Sequence, residues 1–333
     1  MQEERPDESG SAAFAALRLI WRCRFELRRV EGVLVEFGSN DVAAFWFAVM
    51  VTGLRTDIVV VAHDPPKITH APGAGLIPRV GRWHLRVAYR ILSPALDRPL
   101  LRRLTDRAGA IVVLGAEARD ALQRITTRPV LLAPLGQAKI EARVLPPSAC
   151  DYVLFAGFLG PSKGVDVLIR AWSSLTDVPL RLLIAGGASS NHEPWVRGLR
   201  VEAARLDNAP EWIGPVEADD EFEALLREAA IVVLPYRRSS PASGVLARAM
   251  ASGRCVVASR VQACVNTLQD GVSGILLDIG DEAALSRTIE QLAADPAERD
   301  RLGHGARDRA TEVFGWDKYA SVLEQALACA HRE

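Results

Sequence analysis

The chain has 333 residues, a formal net charge of −1 and a hydrophobic fraction of 49%. This length predicts two domains of ordinary size, each able to bury a core. The near-zero charge argues against a dedicated nucleic-acid-binding protein. Five scattered cysteines without a C-x-x-C pair indicate reduced thiols in the cytoplasm and no metal site of the zinc type.

The first eleven residues and the most apolar run favour neither export nor membrane insertion. Residues 1–11 are acidic and polar, unlike the basic start of a signal peptide, and we expect them to be disordered. The longest apolar run, Val42 to Val51, is much shorter than the roughly 20 residues of a membrane span. It is typical of a core helix.

The first half of the chain alternates apolar strands with helices. In chain order the pattern predicts a helix over Ala12–Val30, a strand over Val33–Phe37, a helix to about Thr52, a strand over Ile58–Ala62, a Gly/Pro-rich loop over 65–78, an arginine-rich helical stretch over Val80–Arg107, a strand over Ala110–Leu114, a helix over Ala116–Arg124 and a strand over Val130–Ala133. Pro146 and Pro147 then lie in a segment with little periodicity, which we interpret as the linker.

The second half is more regular. We predict strands over Tyr152–Ala156, Leu180–Ala185, Ile231–Leu234, Cys255–Ala258 and Ile275–Leu277, with helices between most of them. This order is typical of an α/β domain with a parallel sheet. The predicted organisation is therefore a disordered segment 1–11, a first Rossmann-like domain 12–140, a second 141–315, and a final helix 316–333 that packs back toward the first domain.

The segment from Ile231 to Ser259 carries the clearest indication of a binding site. An apolar strand is followed by a Ser/Gly/Pro turn, and a helix begins at Gly244 and stops at Gly253. Ligands of open α/β sheets bind beyond the carboxyl ends of strands, and the amides and dipole of a helix N-terminus favour anions. The turn is therefore a candidate phosphate site.

Four motifs in the second half occur together in one order: Gly157-Phe-Leu-Gly-Pro-Ser-Lys-Gly164 after the first strand, Ile184-Ala-Gly-Gly187 after the second, the segment just described, and Asp270-Gly-Val-Ser-Gly274. Together they resemble family-4 glycosyltransferases of the GT-B fold (the glycosyltransferase group 1 type). The resemblance covers about 150–330 well. It reaches the first half through His63, the strand at Ile111 and the turn at Pro134.

This resemblance implies transfer of a hexosyl group from a nucleotide sugar to a glycan or lipid-linked acceptor, with retention of configuration. It implies two Rossmann-like domains that face a cleft, with the nucleotide in the second domain and the acceptor at the first. Neither a metal nor a cofactor is expected beyond the nucleotide sugar, which is a co-substrate. The leaving nucleoside diphosphate requires stabilisation of negative charge.

Individual site residues follow from the same resemblance. Lys163 matches the lysine that reaches the diphosphate, with a solvated lysine as the alternative, and Gly157 lies in the same loop. Ser243, Gly244 and Val245 match the turn whose amides meet the phosphates, with an ordinary capped helix as the alternative. The other expected positions are Gly214 to Val216 for the base, His63 near the donor sugar, and Ser39, Asn40 and Asp64 on the acceptor side.

The chain also departs from the family pattern. The family pattern has two glutamates eight residues apart, and Ser240 and Arg248 occupy those positions here. Asn266 occupies the position of a further glutamate. Phe158 replaces an arginine. Arg248 cannot accept a hydrogen bond, but a guanidinium can hold a phosphate bidentately. The Gly-Gly loop of a first strand is missing before Val33, so we expect the first domain to be incomplete. Either the chain starts late relative to its gene or the first unit has been lost, and the loss of that strand would expose a central sheet edge. The alternative function is a catalytically inactive GT-B-like partner or regulatory subunit.

The stretch from Arg79 to Arg107 contains eight arginines between apolar side chains. Such a basic amphipathic segment suits an anionic membrane surface, and a solvated helical face with local ion pairs is the alternative. We therefore expect a cytoplasmic enzyme of cell-envelope or exopolysaccharide synthesis, with peripheral association at the inner face of the membrane where this stretch meets anionic lipid. The scattered aromatic residues do not form a nucleic-acid platform.

Overall fold

A computed structural model describes residues 12–37, 42–55, 57–63, 99–133, 144–238 and 242–331. The chain forms two compact units. The first unit combines Met1–Pro134 with Asp317–Glu333, and the second unit is Leu135–Trp316. The division therefore falls at residue 134, six residues before the boundary expected at 140.

The first unit is built on a parallel sheet of four strands in the order β1-β2-β3-β4. The strands are β1 Val33–Phe37, β2 Ile58–Ala62, β3 Ala110–Val113 and β4 Val130–Leu132. Every residue of β2 and β3 is buried, which explains their uninterrupted apolar sequences. The described helices are Ala12–Arg22, Val42–Val51, 99–107 and Ala116–Gln123.

The first helix ends eight residues earlier than the sequence pattern predicts. It stops at Arg22, and a 3-10 turn follows at Glu26–Arg28. The Arg55 guanidinium donates hydrogen bonds to the carbonyls of Leu27 and Val30. These long-range bonds hold the segment in its turn, and they explain why periodicity alone placed the helix end too late.

The C-terminal helix, Trp316–Ala330, lies almost entirely in the first unit and packs beside β1. The Tyr319 hydroxyl hydrogen-bonds to Glu36, and His331 contacts the Glu31 carbonyl. An added Cβ on Gly32 would lie 2.9 Å from Leu327. Among the described strands, β1 pairs only with β2, so the helix covers the end strand of this sheet.

The second unit is a doubly wound parallel sheet in the order β10-β9-β8-β5-β6-β7. Its strands are β5 Tyr152–Ala156, β6 Arg181–Ala185, β7 Glu211–Gly214, β8 Ile231–Leu234, β9 Cys255–Ser259 and β10 Ile275–Leu277. Its helices are Val165–Trp172, Glu193–Ala203, Asp219–Arg227, Gly244–Ala251, Gln262–Val265, Glu282–Ala294 and Pro296–Val313. The predicted α/β fold with a parallel sheet is confirmed.

Both faces of this second sheet are buried, and the side chains of β5 show why. Val153 and Phe155 join the core on one face, while Tyr152, Leu154 and Ala156 join the core on the other. A strand buried on both faces needs apolar residues at every position, since neighbouring side chains point to opposite faces. The sheet therefore positions its loops rigidly.

Candidate functional site

The strand order of the second unit defines where its loops can form a crevice. β5 has β6 on one side and β8 on the other, so the connections leave β5 and β8 in opposite directions. Ligands of open α/β sheets bind at such a switch point, outside the carboxyl ends of the strands. The loops concerned begin at Gly157 and at Pro235.

Glycines allow the loops at this end of the sheet to approach each other closely. Gly186 follows β6 with φ +144°, and a Cβ built on it would lie 1.8 Å from the Gly157 carbonyl oxygen. The Gly186 amide donates to the Gly214 carbonyl at 2.7 Å. Backbone therefore packs directly on backbone after β5, β6 and β7.

Lys163 ends a 3-10 turn, Pro161–Lys163, beyond β5. Its Nζ lies 4.1 Å from the centroid of the Tyr236 ring. Burial lowers the pKa of Lys163. Within the described residues no carboxylate forms an ion pair with this ammonium group, and a half-buried cation of this kind is a natural anion ligand.

The helix Gly244–Ala251 begins next to Tyr236. The Ser243 hydroxyl accepts a hydrogen bond from the Leu246 amide at 3.3 Å and also hydrogen-bonds to Tyr236. Burial raises the pKa of Tyr236 to about 12, so the phenol stays protonated and neutral at physiological pH. The amides of Gly244 and Val245 belong to the first helical turn, whose N–H groups lack intrahelical acceptors. Tyr236 thus links Lys163 to a helix N-terminus.

Gly157 completes this group, because an added Cβ would lie 3.8 Å from Val245 Cγ2. The structure therefore brings together two pairs of residues, Gly157 with Lys163 and Ser243 with Val245, and the two pairs lie 80 residues apart in sequence. We define these four residues with Tyr236 as the ammonium–amide corner.

An ion pair fixes the two loops of this corner to each other. The two terminal nitrogens of Arg237, Nη1 and Nη2, donate to the two carboxylate oxygens of Asp166, each at 2.7 Å. The Arg237 amide also donates to the Ser162 carbonyl at 2.9 Å. Burial acts to raise the pKa of Asp166, but hydrogen bonds from Arg237 and Arg170 outweigh it and lower that pKa. Lys163 is thereby held against Tyr236.

Arg248 does not have the free guanidinium that phosphate binding would need. Its Nε donates to Glu223 at 2.5 Å, its Nη2 approaches Asp219 at 3.2 Å, and its guanidinium stacks on the Phe222 ring at 4.4 Å. The acidic first turn of the helix Asp219–Arg227 supplies these partners. The expected bidentate phosphate contact is therefore replaced by an ion pair within the fold.

The remaining predicted residues of the second unit lie in other environments. Gly214 has φ +83° and joins the glycine-rich loops through its carbonyl. Val216 packs against the core, and the exposed Asn266 accepts a hydrogen bond from Gln262 at 2.9 Å. Phe158 is 80% exposed. Ser240 lies outside the described residues.

In the first unit, His63 follows β2 and its Nε2 lies 2.7 Å from Glu36 Oε1. Burial, together with a hydrogen bond to Glu36, raises the pKa of Tyr319 to about 12. Glu36 therefore orients the imidazole and is itself held by Tyr319. Ser39, Asn40 and Asp64 lie outside the described residues, as do positions 79–98 of the arginine-rich stretch.

Sequence reasoning missed three residues that shape these sites: Glu36, Asp166 and Tyr236. It noted Arg237 only as positive charge near the candidate phosphate site, whereas the structure pairs Arg237 with Asp166. Glu36 had one visible indication, as the sole charged residue in the apolar strand Val33–Phe37. Tyr236 and Arg237 follow β8 directly, where site residues of α/β sheets concentrate. Asp166 gave no indication in sequence, because its role depends on an arginine 71 residues away.

Comparison with known proteins identifies the class to which the second unit belongs. Residues 150–295 match the family model described as "Glycosyl transferases group 1". The chain therefore contains a domain of this glycosyltransferase family, and the resemblance inferred from the four motifs is confirmed.

Curated relatives carry the name D-inositol 3-phosphate glycosyltransferase. The protein of Streptomyces bingchenggensis is 35% identical over 206 residues, which cover 59% of this chain and 44% of the relative. The protein of Acidothermus cellulolyticus is 31% identical over 287 residues, covering 81% of this chain and 62% of the relative. The chain thus spans less than two thirds of these relatives.

Solved structures of similar fold are GT-B glycosyltransferases. Sucrose-phosphate synthase from Thermosynechococcus elongatus superposes with a TM-score of 0.71 at 20% identity, covering 94% of this chain and 77% of that structure. The Anabaena protein Alr3699/HepE in complex with UDP-glucose gives a TM-score of 0.65 at 17% identity, covering 93% of this chain and 81% of that one. These similarities establish the GT-B fold. Within the described residues, no helix is both long and apolar enough to cross a membrane.

Proposed function

We propose that this protein transfers a hexosyl group from a nucleotide sugar to a glycan or lipid-linked acceptor, with retention of configuration. The observation that carries the proposal is Lys163. Its half-buried ammonium has no carboxylate partner among the described residues, and it lies at the switch point beside the capped helix Gly244–Ala251. The membership of this unit in a glycosyltransferase family supports the same assignment.

The chemistry of the leaving group explains why such a corner is useful. Cleavage of the bond between sugar and diphosphate leaves negative charge on phosphate oxygens, and catalysis requires that this charge be stabilised. The Lys163 ammonium supplies a full positive charge. The Gly244 and Val245 amides supply preorganised donors and the positive end of a helix dipole. We expect these groups to serve without a divalent cation, so that activity persists in the presence of a chelator.

We assign His63 to the catalytic centre, on the side of the donor sugar. Its contact with Glu36 fixes the orientation of the ring. In the resembling family, a histidine at this strand end approaches the donor sugar. The acceptor is proposed to be an intermediate of cell-envelope or exopolysaccharide synthesis in the cytoplasm.

The first donor to test is UDP-glucose, because Alr3699/HepE was solved with UDP and with UDP-glucose. Binding of UDP, GDP and ADP to the purified chain would be measured by calorimetry, followed by hydrolysis of the matching sugar nucleotides. We expect one nucleoside diphosphate to bind, and we expect the matching sugar nucleotide to be hydrolysed slowly when no acceptor is present. Transfer to an acceptor with an inverted product anomer would contradict the retaining mechanism.

The alternative, an inactive GT-B-like partner, has one observation in its favour. Arg248 occupies a position where the family carries a glutamate, and its charge is neutralised by Glu223. Binding of a nucleoside diphosphate without turnover, against a panel of donors and lipid acceptors, would favour this alternative. Absence of both binding and turnover would reject the transferase.

A further inference from the structure

The N-terminal helix of the first unit carries a second apolar stripe that faces outward. Phe14, Leu17, Trp21 and Phe25 are spaced by three, four and four residues, so they follow one line along the helix and the turn after it. Their exposed fractions are 57%, 51%, 67% and 57%. We call these four side chains the outer stripe.

A neighbouring face of this helix is already occupied. Ala13 and Ala16 are buried in the core of the first unit, and Ile20 packs against that core. The helix is therefore held along its length, and the outer stripe projects from a fixed support. Large exposed aromatic residues in a continuous line mark an interaction surface, whereas scattered ones are ordinary.

Arginines flank the outer stripe. Between residues 12 and 30 there are five of them, at positions 18, 22, 24, 28 and 29, against one acid, Glu26. Arg18 stacks on Phe14 at 5.3 Å, and Arg24 lies over both Trp21 at 4.3 Å and Phe25 at 4.5 Å. The guanidinium groups of Arg18 and Arg24 therefore lie on the same exposed surface as the aromatic rings of the outer stripe.

We propose that the outer stripe binds the surface of an anionic lipid bilayer, with the helix lying in the plane of the interface. Tryptophan and phenylalanine suit the boundary between headgroups and acyl chains, and arginines beside them suit anionic headgroups. Pairing of this face with a second copy of the chain is disfavoured, because ten arginines would then meet across one interface. The inference does not depend on the proposed transferase activity.

The test is sedimentation of the full chain with vesicles of two compositions. One contains phosphatidylcholine alone, and the other contains equal amounts of phosphatidylcholine and phosphatidylglycerol. We expect binding to the anionic vesicles that weakens with added salt, and much weaker binding to the neutral ones. The double variant Trp21→Ser, Phe25→Ser should lose most of this binding. Trp21→Phe should retain it.

Matched variants separate the stripe from general properties of the protein. Leu54→Ser removes a 70% exposed apolar side chain of the same unit outside the stripe, and it should bind like the original chain. Arg18→Gln with Arg28→Gln should weaken binding by about fivefold per arginine. Arg287→Gln, at an exposed position of the second unit, should have no effect.

Two results would overturn the proposal. The first is failure of the original chain to sediment with the anionic vesicles at low salt. The second is equal binding by the stripe variants and the Leu54→Ser control. A third outcome is that the original chain does not bind vesicles but forms a concentration-dependent dimer in light scattering. If the Trp21→Ser, Phe25→Ser variant abolished that dimer, the outer stripe would be a protein interface instead.

Discussion

The close approach of two loops at Gly164 offers a quantitative test of the ammonium–amide corner. Gly164 follows Lys163 directly and has φ +70°. A Cβ built on it would lie 1.9 Å from the carbonyl oxygen of Pro235, which precedes Tyr236. Alanine at this position must therefore adopt a left-handed backbone and also push the two loops apart.

The two costs can be assigned separate magnitudes. The left-handed backbone costs an alanine about 1–2 kcal/mol. Displacement of packed backbone adds about 1–3 kcal/mol, by analogy with overpacked cores. Gly164→Ala should therefore lower the free energy of unfolding by about 2–5 kcal/mol. For a unit of this size, that corresponds to a melting temperature lower by about 4–20 °C.

Two further glycines in the same unit serve as controls, one with the backbone cost alone and one with neither cost. Gly280 has φ +81° with nothing within 4 Å of an added Cβ, so Gly280→Ala should show only the backbone cost of about 1–2 kcal/mol. Gly198 lies inside the helix Glu193–Ala203 with open space around it. Gly198→Ala should stabilise the unit by about 1 kcal/mol.

The assay combines calorimetric melting with binding of UDP. Gly164→Ala should lose affinity for UDP as well as stability, since it separates Lys163 from Tyr236, whereas Gly280→Ala should bind UDP normally. Equal destabilisation by Gly164→Ala and Gly280→Ala would refute the close contact between the loops. Normal UDP binding by a destabilised Gly164→Ala variant would refute the role of the corner.

Three further predictions concern charged residues. Lys163→Met should weaken UDP binding by at least about tenfold. In the original chain, affinity should fall as pH rises through the lowered pKa of Lys163, and the variant should lack this dependence. Asp166→Asn should destabilise the second unit by about 1–3 kcal/mol, because Arg237 loses its partner. Arg248→Met should bind UDP normally but melt lower, because Glu223 is left unpaired.

The pH dependence of the Asp166 contribution has a definite sign. The folded pKa of Asp166 is lowered, so its stabilisation is complete above the unfolded pKa of about 4 and is lost as pH falls through the folded value. The Asp166→Asn variant should therefore approach the original chain in stability in acid. If the stability difference between Asp166→Asn and the original chain grew with acidification, the ion pair with Arg237 would be contradicted. Loss of UDP binding in Arg248→Met would show that Arg248 contacts the phosphate after all.

The sequence by itself determined most strands of the second unit and their succession along the chain. Uninterrupted apolar runs such as Ile231–Leu234 are required wherever a strand is covered on both faces, so the strands were visible without any knowledge of their neighbours. The helix Gly244–Ala251 was visible for a local reason as well, since Ser243 caps its start and Gly253 follows its end.

Only the tertiary structure decided how charges and loops meet. Whether Arg248 binds phosphate or Glu223 depends on a helix 25 residues earlier, and no local pattern reports that distance. The same holds for Tyr236 beside Lys163 and for Arg55, which donates hydrogen bonds to the turn that follows the first helix. Periodicity records burial along one element, whereas these contacts join elements that lie far apart in the chain.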